Sequence, residues 1–204
     1  MQAGRPKAQG LYNPDNEHDS CGIGFVANIK GHKSHDIVHR GLDVLINMTH
    51  RGAESADNKS GDGAGILIQI PHDFFVSNGI QLPAPGSYGA GLLFLPKAKN
   101  EADHCIKILE ETIIEENLKL IGYRDVPVDS SVLGEIARNS EPVIKQVFIT
   151  GKYEQDELER KLYLIRKISE NKVRNSQIKH HRAFYFPSLS SKVIIYKGFR
   201  SLIR

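Results

Sequence analysis

Two hydrophobic periods alternate along the chain. Over 34–52, SHDIVHRGLDVLINMTHRG, Val38, Leu42, Leu45 and Ile46 fall at i, i+4, i+7 and i+8, the apolar stripe of an amphipathic helix. Ser34 is placed to cap its start and Gly52 to end it. A second helix is predicted over 99–121, through Ile106, Leu109 and Ile113 and, less regularly, Leu118 and Leu120; a third over 156–173 runs through Leu158, Leu162 and Ile165. Strand-like runs occur at 21–29 (CGIGFVANI), 64–71, 88–96 and 142–150, with two more around Ser188–Ser191 inside 183–198. The order is strand, helix, two strands, helix, strand, helix, two strands. It lacks the strict β–α alternation of a doubly wound parallel sheet, so the pattern predicts an α+β fold built in layers. Residues 1–20, polar except for Leu11 and Tyr12, predict a leader or arm that cannot bury enough apolar surface to order itself.

Composition narrows the class. With 204 residues, 40% hydrophobic and 25% charged, the chain has the make-up of one globular domain. The net charge of +3 is interspersed except in the basic stretch 166–182, RKISENKVRNSQIKHHR. No stacking aromatics interleave with that stretch, so it reads as a solvated helix face and not as a nucleic-acid surface. No run approaches the ~18 apolar residues of a membrane span, and the N-terminus has no apolar signal core, so no membrane partner is expected and the compartment is read as cytoplasmic. Cys21 and Cys105 form neither a disulfide framework nor a metal pattern, and the nine histidines show no ligand spacing, so no metal is expected.

Few residues then stand out for chemistry. GDGAG at 61–65 precedes a strand, whereas a phosphate cradle follows one and opens a helix; it reads as a tight turn. His50 and Arg51 close the first helical stripe, where a cation is favoured by the helix C-terminus. Cys105 sits on a helical stripe, as a small buried apolar residue would. Cys21 has no such explanation. A thiol nucleophile needs a base, and no histidine is assigned to it by position. Gly22 and Gly24 beside it leave the backbone open to close approach.

Three blocks taken together, NEHDSCGIGFVANIKG, HRGAESADNKSGDGAGILIQIP and FYFPSLSSKVIIYKG, resemble the class II glutamine amidotransferase domain that opens the large subunit of glutamate synthases. That family has the N-terminal-nucleophile hydrolase fold, an αββα sandwich of layered antiparallel sheets. The resemblance implies a leader over 1–20 and a partial amidotransferase domain over 21–204, incomplete at its C-terminus. Removal of the leader would make Cys21 the first residue, its thiol the nucleophile and its own α-amino group the base. L-glutamine would be the substrate, with Gly22 permitting its approach and Arg51, in the H-R-G block, supporting the pocket. The ammonia released would serve reductive amination of 2-oxoglutarate in the remaining synthase domains of the same polypeptide. Those domains would hold FMN and an iron–sulfur cluster, with no cofactor in this part, and would draw electrons from a reducing subunit or ferredoxin. For a plant or algal parent the implied compartment is the plastid. The family's HNGE-like oxyanion motif and its substrate-carboxylate arginine block, which it places downstream of the last strands, do not occur in the chain, which implies an incomplete glutaminase, inactive by itself. Two rivals remain: the amidotransferase domain of another class II enzyme, and a non-catalytic truncated fragment.

Overall fold

The structure is a computed structural model that describes residues 10, 22–48, 61 and 63–199. Helix α1 (His35–Asn47) begins as the sequence predicts, with the Ser34 hydroxyl accepting the Ile37 N–H at 3.3 Å. It ends at Asn47, short of Gly52, which lies outside the described residues. Strand β1 (Gly63–Gln69) stops before Pro71, and the six-residue helix α2 (His72–Ser77) follows directly. Then come β2 (Tyr88–Leu95), α3 (Lys99–Glu115), β3 (Lys119–Asp125), the short α4 (Glu135–Asn139), β4 (Val143–Thr150), α5 (Gln155–Arg174), β5 (Leu189–Ser190) and β6 (Val193–Phe199).

Two expectations are corrected. The helix predicted over 99–121 breaks at Glu116, because Asn117 adopts a left-handed φ of 59° and turns the chain into β3. Leu118 and Leu120, two residues apart, carry strand spacing and not the helical period. The strand predicted over 21–29 does not form at residues 22–28, and Ile23, Phe25 and Ile29 are more than nine-tenths exposed. A strand needs a ladder partner, and β1 pairs only with β6 among the described residues. Instead the Asn28 side chain accepts the N–H groups of Lys30 and His32 at 2.9 and 3.3 Å, and Gly31, at φ +71°, reverses the chain toward α1.

All strand pairs are antiparallel. One sheet has the order β3-β4-β2-β5; the other is the pair β1-β6, with Gly63 opposite Phe199 and Gln69 opposite Val193. On one side of the four-stranded sheet, Leu93 and Leu95 of β2 and Val147 and Ile149 of β4 pack with Cys105 and Leu109 of α3 and Leu158, Leu162 and Ile165 of α5. On the other side, Tyr88, Ala90 and Phe148 meet Phe75 of α2 and Ile194 of β6. Each β2 and β4 residue thus faces helices or the second sheet by its parity, as the two-residue period requires. Two ion pairs, Lys161–Glu116 and Lys172–Glu115, tie α5 to the end of α3. Helix α1 lies against β1, where Gly41 meets Ile66. The result is the expected layered α+β arrangement of helices and antiparallel sheets.

A buried polar link joins the sheets. Arg124 of β3 donates to Gln146 Oε1 at 2.8 Å, and Gln146 Nε2 donates to the Tyr196 hydroxyl of β6 at 2.8 Å. Gln146 is fully buried, so its amide is satisfied by these partners and not by water.

Close approach sets a first prediction. A Cβ on Gly91 would lie 2.4 Å from the Ser188 carbonyl oxygen, which is backbone, whereas a Cβ on Gly122 meets nothing within 4 Å. Gly91→Ala should lower unfolding free energy in denaturant by about 1–3 kcal/mol. Gly122→Ala should leave it within about 1 kcal/mol of the parent. Equal effects would contradict the packing described.

Burial also sets an alkaline limit. Desolvation, with the Glu101 charge second, pushes the Cys105 thiol from the usual 9.0 to about 11. The unfolded thiol ionises first, so the folded state binds more protons between these values and stability falls as pH rises through that window, by roughly 2–3 kcal/mol in all. Between pH 9 and 10, denaturation titrations should show Cys105→Ala with a flatter decline than the parent; parallel profiles would contradict it.

Candidate active site

A cavity of about 1050 Å³ opens between residues 22–35, α1, β1 and the start of α2. Its walls follow from local structure. The unpaired segment Gly22–Asn28 supplies one side and leads through the Asn28–Gly31 turn toward α1. Gly24 touches α1 there, since a Cβ at that position would meet Val44 Cγ1 at 2.6 Å. Ile66 and Ile68 of β1 supply a second wall. Pro71 stops the strand, and His72, Asp73 and Phe74 close the end.

That end wall is anchored to the core. His72 Nδ1 lies 3.1 Å from the Tyr88 hydroxyl, and Phe75 packs edge-to-face on Phe148 with centroids 5.0 Å apart. Burial, with the negative charge of Asp73 second, raises the Tyr88 hydroxyl from 10.0 to about 12. It therefore stays protonated at neutral pH and acts as a hydrogen-bonding anchor. The Arg124 guanidinium lies 5.5 Å from the Phe74 ring centroid, a cation–π distance that tethers α2 to β3.

The expected site residues divide. Gly22 lines the cavity and is exposed. Cys21, Arg51 and His50 lie outside the described residues. The GDGAG run is not a phosphate cradle: Gly63 and Gly65 belong to β1, and a Cβ on Gly65 would sit 3.0 Å from the Tyr196 carbonyl across the ladder. These glycines serve close strand approach. Cys105 is fully buried with its thiol raised, so it is no nucleophile at neutral pH. Among the described residues no group of His, Cys, Asp and Glu side chains is arranged to hold a metal ion. Sequence reasoning missed the α2 wall. Its signal was Pro71, a strand stop, followed by His-Asp, which puts an acidic residue in the first turn of a helix.

The chemical capacity of this arrangement is that of a substrate pocket. It is large enough for an amino acid, mostly apolar, and edged by exposed glycine backbone in the residues that directly follow Cys21.

Known proteins resemble this sequence. The family model for class-II glutamine amidotransferases matches residues 21–202. The chain is 44% identical over 198 residues to the glutamate synthase [NADPH] large chain of Bacillus subtilis, covering 95% of this chain and 13% of that protein. It is 42% identical over 209 residues to the glutamate synthase [NADH] of Saccharomyces cerevisiae, covering 95% of this chain and 10% of that protein. The ferredoxin-dependent glutamate synthase 2 of Synechocystis is 39% identical over 194 residues, covering 92% of this chain and 12% of that protein. The chain thus spans about a tenth to an eighth of the length of these relatives. Matched along almost its whole length, the chain belongs to the class-II glutamine amidotransferases.

Proposed function

We propose that this chain is the glutaminase part of a glutamate synthase, with Cys21 as its nucleophile. The observation that carries the reading is that the family match opens at Cys21. The cavity lined by the residues that follow, Gly22–Asn28, supports it.

In this reading Met1–Ser20 is removed, and the α-amino group of Cys21 becomes a free amine beside its thiol. Its ordinary pKa of ~7.7–8.0 suits proton exchange in both directions near neutral pH. The amine takes the thiol proton, and the thiolate attacks the side-chain amide carbon of L-glutamine. The C–N bond breaks as the ammonium returns the proton to departing ammonia, leaving a thioester. Water, deprotonated by the same amine, then cleaves the C–S bond, releasing glutamate and restoring the thiol. One residue carries nucleophile and base. Arg51 supports the pocket, and Gly22 lets the substrate approach.

Ammonia then passes to other parts of the polypeptide for reductive amination of 2-oxoglutarate. An iron–sulfur cluster requires several thiolates, and the chain has two cysteines, of which Cys105 is buried in the helix–sheet core. Its residues do not fit a cluster. The cluster is therefore assigned elsewhere in the polypeptide, and in this reading FMN lies there with it, supplied with electrons by ferredoxin or a nicotinamide-dependent subunit.

The test is covalent. A glutamine-analogue electrophile incubated with the folded chain at neutral pH should modify Cys21 and leave Cys105 untouched, as read by peptide mass mapping. Excess L-glutamine should slow that modification. Modification of Cys105 in preference to Cys21 would overturn the assignment.

A further inference from the structure

The basic stretch 166–182 folds around a second hollow that shares no lining residue with the larger cavity. Helix α5 presents Arg166, Glu170 and Arg174 at four-residue intervals, hence on one face. The chain then returns through a 3₁₀ turn at His181–Ala183, so that His181 and Arg182 close the opposite side over the aromatic run 184–186. The hollow measures about 240 Å³.

Its charges do not balance. Glu170, the one acidic lining residue, is already engaged: its carboxylate accepts Arg166 Nε at 3.4 Å and the Phe186 N–H at 3.2 Å, and pairs with Lys167 at 3.6 Å. The guanidinium groups of Arg174 and Arg182 bond to no acceptor among the described residues. His181 Nδ1 lies 3.2 Å from the Ile178 carbonyl, which can only accept, so Nδ1 carries the proton of that bond. In the neutral ring Nε2 is then an acceptor, so the donors this hollow offers to an anion are its guanidinium groups.

We propose that this hollow binds a small oxyanion, the phosphoryl or carboxylate group of a metabolite. Arg174 and Arg182 grip it through their planar forks, Arg166 adds a third guanidinium, and the His181 ring walls the opposite side. Guanidinium geometry matches two oxygens of either group at once, which an ammonium cannot do. Separate walls make this a second site, independent of glutamine hydrolysis.

Inorganic phosphate and succinate, each titrated into the full chain at ionic strength held constant with chloride, test the proposal. A saturable rise in Tm with at least one of them is expected. It should weaken roughly tenfold in Arg174→Ala and again in Arg182→Ala. Lys179→Ala, which removes an exposed charge outside the hollow, should bind as the parent does. A larger response to phosphate assigns a phosphoryl ligand, and a larger response to succinate a carboxylate. Both arginines are exposed, so circular dichroism should show the variants folded. No saturable response, or an equal response in the arginine variants, would overturn the proposal.

Discussion

Strand β2 is buried along its whole length, and the other elements take their places from that constraint. A strand covered on both faces must satisfy helices on one side and a second sheet on the other, and β2 does so by alternation. Gly89 meets Leu162 of α5, while Ala90 belongs to the cluster shared with β6. Gly91 lets β5 come close through the Ser188 carbonyl. From β5 the consequences run outward. The Glu159 carboxylate of α5 accepts the Ser190 hydroxyl at 3.1 and 3.0 Å and the Ser191 N–H, holding the turn into β6. Strand β6 then pairs along all of β1, and β1 forms a wall of the larger cavity. The position of that cavity therefore depends on packing several strands away.

Much of this scaffold was legible because its periods are clean. The runs that became β1, β2, β4 and α5 need no tertiary information to be recognised, and Ser34 announces α1 by its side-chain chemistry. Where the reading failed, a nonlocal or short-range event overrode the period. Asn117 turned one apparent helix into a helix and a strand through a single left-handed residue. Residues 22–28 carry a strand-like composition, but the ladder that would order them depends on a partner elsewhere in the chain. Helix α2 is six residues long, too short to show a period. The Arg124–Gln146–Tyr196 link was invisible in sequence because its members come from β3, β4 and β6, and only register brings them together.

The site divides along the same line. Cys21 was legible as an oddity, a thiol without a packing reason, and the family blocks around it supplied a role that composition could not. The cavity walls were not legible, since Ile66, His72 and Phe74 look like ordinary strand and turn residues until the fold sets them opposite Gly22–Asn28. The basic stretch was legible as charge and as a helix face, which α5 carries only as far as Arg174. Its return through His181 and Arg182, against Phe184–Phe186, is a tertiary event.

One residue can supply both nucleophile and base only if Cys21 begins the working chain. Intact-mass measurement with N-terminal sequencing, made on protein whose Cys21 has taken up a glutamine-analogue electrophile, tests it most directly. Every labelled molecule should lack Met1–Ser20 and start at Cys21. Labelled molecules that still carry Ser20 joined to Cys21 would contradict it.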